Sequence, residues 1–129
     1  MNKILVEVSV GELLDKISIL EIKKEKISNK ESLNFIEKEY SILKEQLNKN
    51  IKYDDKLDKL FKSLKKINST LWEFEDEKRL YEKNSNFGDN FIKVSREIHF
   101  LNDNRSKVKL DMNKTTGSLI REIKQYTSY

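Results

Sequence analysis

Apolar residues recur at steps of three and four along four stretches of this chain, and charged residues stand inside those stripes where leucine would be expected. Steps of that size line one face of an α-helix, so the spacing predicts helices. The charges in turn predict that polar groups are held inside. No proline interrupts the stretches and only three glycines occur in the 129 residues, so few breakers oppose long helices.

The segment Lys3 to Val8 (KILVEV) is β-branched and partly alternating, which predicts a short strand or an extended lead-in. Ser9-Val10-Gly11-Glu12 follows with capping-box spacing, in which the serine hydroxyl takes the amide of Glu12 and the Glu12 side chain reaches back. A first helix starts there, with Val10, Leu13, Leu14, Ile17, Leu20 and Ile27 in one sector and Glu21 and Lys24 among them. The pattern resets at Ser28-Asn29-Lys30. Leu33, Ile36, Tyr40, Leu43 and Leu47 then mark a second helix, folded back on the first as an antiparallel hairpin because the connection is short.

A turn over Asn48 to Asp55, capped by Asp54 or Asp55, leads to a long third helix with Leu57, Leu60, Phe61, Leu64, Ile67, Leu71 and Trp72 on one face. That face also takes in Asn68 and, continued, presents Glu75, Lys78, Arg79 and Glu82. After Asn84 to Asp89, with Asp89 as candidate cap, a fourth helix runs from about Asn90 to Asn113 through Phe91, Val94, Ile98, Leu101 and Met112, with Asn102 and Arg105 on the same stripe. Thr-Thr-Gly-Ser ends it. Beyond, Leu119 to Lys124 could add a turn and Tyr126 and Tyr129 could anchor the end. The expected fold is all-α: an antiparallel four-helix bundle with a short extended N-terminal segment and an irregular C-terminal tail, forming one helical domain over residues 1–129.

Charge and cysteine usage exclude several classes of function. Lysine-rich stretches such as Lys23-Lys24-Glu25-Lys26 are interleaved with acids, so the net charge of +4 forms no basic stripe of the kind nucleic acid demands. Zero cysteines rule out disulfides and thiolate metal sites, and no stretch reaches the roughly 18 apolar residues of a membrane span. No signal-peptide run precedes the first helix. A cytoplasmic protein without nucleic-acid or membrane partners is expected.

Burying a carboxylate is costly unless it is paired, so the acids and arginines on the stripes should meet. Only four arginines, Arg79, Arg96, Arg105 and Arg121, occur among the 26 basic residues. The expected interior network is Glu21, Glu75, Arg79 and Arg105 with Asn68 and Asn102 beside them. It is either a structural layer that fixes helix register or a site for an anionic ligand. Glu12 with Asp15, and Glu73 with Asp76, have a three-residue carboxylate spacing that could hold Mg²⁺, but Glu12 is better explained as a cap, so no metal or other cofactor is expected. His99 reads as a packing residue, and Trp72, Phe74, Tyr81 and Phe91 as an aromatic core cluster.

Three runs, Gly11 to Lys23 (GELLDKISILEIK), Asn68 to Arg79 (NSTLWEFEDEKR) and Asn102 to Lys109 (NDNRSKVK), together resemble an uncharacterised family, a domain of unknown function found in small single-domain bacterial and phage proteins. Glu122, Lys124, Tyr126 and Tyr129 match the end of its pattern. The resemblance implies Glu12, Asp15, Lys16, Glu21, Lys23, Asn68, Trp72, Glu75, Asp76, Arg79, Asn102, Asp103, Arg105 and Lys109 as signature positions, and implies glycan-related work through an association with surface-polysaccharide genes. Ser95, Arg96 and His99 depart from the family's Ala-Arg-x-x-Tyr stretch.

The candidate ligand-binding residues are thus Glu21, Asn68, Glu75, Arg79, Asn102, Arg105 and Lys109. Three readings remain open. One is a binding or accessory module recognising an anionic small molecule or an acidic partner segment. Another is a small enzyme acting on a phosphorylated or glycosyl substrate with Glu75 or Glu21 as base. The third is a purely structural bundle that associates with itself as a homo-oligomer.

Overall fold

The computed structural model describes residues 2–120 and 122–128. Four helices follow in order: α1 (Val10–Lys26), α2 (Lys30–Asn50), α3 (Asp55–Lys83) and α4 (Asp89–Thr116), and no strand occurs among the described residues. The all-α expectation holds.

Side chains start three of the helices. Ser9 accepts from the Glu12 amide at 3.0 Å, Asn29 from Ser32 at 2.9 Å and Asp54 from Leu57 at 2.9 Å, each satisfying one of the amides that a first turn leaves without a partner. Only half of the expected capping box forms, because the Glu12 carboxylate turns to Lys109 instead of its own helix. Asp89 is the first helical residue and not the cap; Gly88 holds the cap position without a side-chain bond.

Two helices end in the same way. At α3, Ser85 adopts a left-handed φ of 52° while the Asn86 amide reaches the Tyr81 carbonyl at 2.8 Å. At α4, Gly117 (φ 67°) lets the Ser118 amide reach Asn113 at 2.9 Å. Both are the six-to-one closures that satisfy last-turn carbonyls.

Helix α1 is the hub. It packs against each of the other three, α3 packs against α4, and α2 rests on α1 alone. Antiparallel register is visible in the pairs Glu21–Tyr40 and Lys24–Glu37 between α1 and α2, and in Gly11–Asn113 and Asp15–Arg105 between α1 and α4. Leu13, Leu14, Ile17, Leu47, Leu57, Leu64 and Met112 form the core. Their burial supplies the main driving force, about 25 cal/mol per Å² of apolar surface removed from water.

Gly11 sets how close α1 comes to α4. A Cβ there would lie 2.6 Å from the Lys109 carbonyl oxygen, so any side chain would push the two backbones apart. The Gly11 amide is instead bonded to Asn113 Oδ1 at 2.7 Å.

Length creates a second asymmetry. At a rise of about 1.5 Å per residue, α1 (17 residues) spans roughly 25 Å whereas α3 (29 residues) spans roughly 43 Å. The far part of the α3–α4 hairpin therefore overhangs the hub, and Leu80, Phe87 and Ile92 are exposed there. The expected aromatic core cluster does not form for the same reason. Phe91 packs edge-on against Phe87 at 5.3 Å, and the Tyr81 hydroxyl donates to exposed Glu77.

Residues 2–9 are the extended lead-in rather than a strand, since no segment among the described residues pairs with them. No further helical turn forms among the described residues between 119 and 124, and Tyr126 is exposed, so it anchors nothing. Tyr129, the other expected anchor, lies outside the described residues.

Candidate functional site

A buried acid does organise the interior, but it is Asp15. Its side chain is 2% exposed. The Arg105 guanidinium grips it with two donors, Nε to Oδ1 at 3.0 Å and Nη2 to Oδ2 at 2.5 Å. Asn68 Nδ2 adds a bond to Oδ1 at 2.9 Å and another to Ser18 Oγ at 2.8 Å, and the Ser18 hydroxyl donates to the Asp15 carbonyl. Lys109 Nζ stands 3.8 Å from Oδ2 and bonds Glu12 Oε2 at 2.8 Å and Glu122 Oε2 at 3.2 Å. The set joins α1, α3, α4 and the tail, and among the described residues no buried side-chain nitrogen or oxygen lacks a partner.

The charges answer to this geometry. Burial pushes the Asp15 carboxyl up, but the bonds from Arg105 and Asn68 and the cations of Arg105 and Lys109 outweigh it and hold the group below the usual carboxylate range. Burial likewise pulls the Lys109 ammonium down, and Glu12, Asp15 and Glu122 reverse the effect, so it lies above the usual lysine range. Arg105 is driven further up by its bonds to Asp15. All three are ionised at neutral pH.

On the outer side of Arg105 a groove of about 430 Å³ opens between α1, α3 and α4. Ile19, Ile22, Leu71 and Trp72 give it an apolar floor and wall, and Asn68, Glu75, Asp76, Arg79, Asn102 and Arg105 complete the lining. Arg105 is 29% exposed along its side chain, and its Nη1 makes only a long contact to Asn102 Oδ1 at 3.5 Å. Its donors are therefore divided: one edge is locked on Asp15 and the Nη1 group is left nearly uncommitted. Arg79 is exposed and has no ion-pair partner among the described residues.

The expected Glu21/Glu75/Arg79/Arg105 layer is corrected on three points. Glu21 belongs to a different surface, where it accepts from Lys65 at 3.2 Å and from the Tyr40 hydroxyl at 3.2 Å. Glu75 and Arg79 are exposed, because α1 has ended where the α3 stripe would have carried them inside. Arg105 pairs with Asp15, not with either glutamate. Of the seven candidates, the groove gathers Asn68, Glu75, Arg79, Asn102 and Arg105, while Lys109 lies on the other side of the network, beside a smaller cavity of about 180 Å³. The two carboxylate pairs stay apart: Glu12 and Asp15 are taken up by Lys109 and Arg105, and Glu73 lies 3.8 Å from Lys26.

Asp15, Ser18, Ile19 and Ile22 are the residues of this region that lie off the apolar stripe read for α1. All four lie in or between the runs that carry the family resemblance. Asp15 and Ser18 are three apart, so both fall on the same side of α1.

Comparison with curated proteins and with solved structures returns no match. One family model does match, that of a family of unknown function (DUF6165), over residues 4–129. The chain belongs to that family.

Proposed function

We propose that this member of a family without an assigned role is a binding module, and that its groove takes an anionic small molecule with an apolar or planar body. The observation that carries this reading is the pair of arginines at the groove: Arg105, backed by Asp15 with its Nη1 group to spare, and Arg79, exposed and without an ion-pair partner among the described residues. A guanidinium held by a buried acid is pre-oriented, so little rotamer entropy is lost when an anion binds it. Trp72 offers a flat apolar wall beside the two cations, and Asn68 and Asn102 offer amides that fix orientation. Glu75 and Asp76 on the same rim favour a ligand that also carries hydroxyl or amine donors. No helix among the described residues is long and apolar enough to cross a membrane, and a cytoplasmic site of action agrees with a chain that needs no disulfide.

The test is thermal stabilisation and calorimetry of the full chain against phosphate, nucleotides, sugar phosphates and aromatic carboxylates. At least one class should stabilise the protein, and Arg79→Ala should weaken its binding about tenfold or more while leaving helicity intact. Arg79 is the informative position because Arg105→Ala would also disrupt the fold. A panel without any ligand-induced shift, or a shift that survives both Arg79→Ala and Trp72→Ala, would remove this reading.

A further inference from the structure

The lead-in before α1 lies open on the surface. Ile4, Leu5 and Val6 are 85%, 88% and 75% exposed, and none of the described elements covers them. Residues 2–9 run without regular structure although Lys3 to Val8 is a β-branched stretch with strong strand preference. Such a segment exposes a row of amides and carbonyls ready to accept another strand.

Which strand fits is written in its own charge order. Laid antiparallel on a second copy with Leu5 at the two-fold axis, Lys3 of each chain falls opposite Glu7 of the other, and Ile4 falls opposite Val6. Opposed residues share a face of the ribbon. Ile4 and Val6 of both copies therefore make one apolar face, while two Leu5 side chains flanked by two Lys–Glu pairs make the other. The match is isologous, each chain giving and receiving the same contacts, which is the signature of a closed dimer rather than an open fibre. We infer that residues 3–7 form an intermolecular two-stranded antiparallel ribbon that joins two copies of this chain. Two strands alone are only marginally stable, so the dimer is concentration-dependent rather than obligate.

Sedimentation velocity or light scattering on the full chain over a concentration series tests this directly. Wild-type protein should shift from monomer to dimer as concentration rises. Lys3→Glu alone opposes carboxylate to carboxylate and Glu7→Lys alone opposes ammonium to ammonium, so each should weaken the dimer about tenfold or more. An equimolar mixture of the two variants should form a heterodimer, and Lys3→Glu/Glu7→Lys in one chain should restore the homodimer. Both positions lie outside the helices, so circular dichroism should be unchanged throughout. A wild-type chain that stays monomeric across the series overturns the inference. So does a dimer that ignores both single reversals, which would place the contact on a helix face such as that of exposed Phe35 and Ile42 on α2.

Discussion

The two sides of Arg105 obey different rules. Toward α1 it enters a closed set with Asp15, Asn68, Ser18 and Lys109, and among the described residues no buried side-chain nitrogen or oxygen lacks a partner. Toward α3 it borders a groove whose charged residues, Glu75, Asp76 and Arg79, face water. Burial forces partners on a charge, and solvent does not. The same guanidinium is therefore scaffold on one edge and open to solvent on the other.

Breaking the closed side should produce the largest effect. Arg105→Ala leaves a buried carboxylate without its main partner and should cost about 3–5 kcal/mol in urea unfolding. A sharper comparison replaces both partners. Asp15→Leu with Arg105→Met should cost clearly less than Arg105→Ala alone, since no stranded charge remains. If the single and double variants were equally unstable, the pair would not be an electrostatic unit.

Next in size is Gly11→Ala, which drives a methyl into the Lys109 carbonyl and should destabilise by about 1–3 kcal/mol, measured by the same unfolding. Acid should discriminate the two sides as well. The Asp15 carboxyl is depressed in the fold, so its contribution is present above the ordinary carboxylate pKa of about 3.9 and is lost as pH falls through the lower folded value. Stability should drop below about pH 4, and Asp15→Asn should flatten that limb of the profile.

The smallest stability effects belong to the open side. Arg79→Ala and Glu75→Gln should each change stability by less than about 0.5 kcal/mol, because both side chains are exposed. Their effect should appear in ligand binding instead, Arg79→Ala losing the anion and Glu75→Gln altering only its preference for donor-bearing ligands.

Much of the fold could be read from local chemistry. Caps such as Ser9 and Asp54, the stripe of α1 and the break at Gly117 all depend on neighbours within a few residues, so they survive in the sequence alone. The stripes point to a polar interior but to the wrong acid. A helical wheel assumes one buried face, whereas α1 is surrounded, and Asp15 and Ser18 sit inside although they lie off the leucine stripe. The opposite error affects Glu75 and Arg79. Their stripe position would bury them only if a neighbouring helix extended that far, and the lengths of partner helices are not visible in the periodicity of α3. The groove itself arises from that mismatch: it opens where the hub stops covering the long hairpin.

The overhang of α3 and α4 beyond α1 also sets how the molecule breathes. Around Leu80, Phe87 and Ile92 the two helices have only each other to hold their backbone hydrogen bonds, so opening there disturbs nothing near Leu14 or Met112. Amide protons in the far halves of α3 and α4 should exchange with solvent through local opening, while those of the middle of α1 should exchange only when the whole chain unfolds.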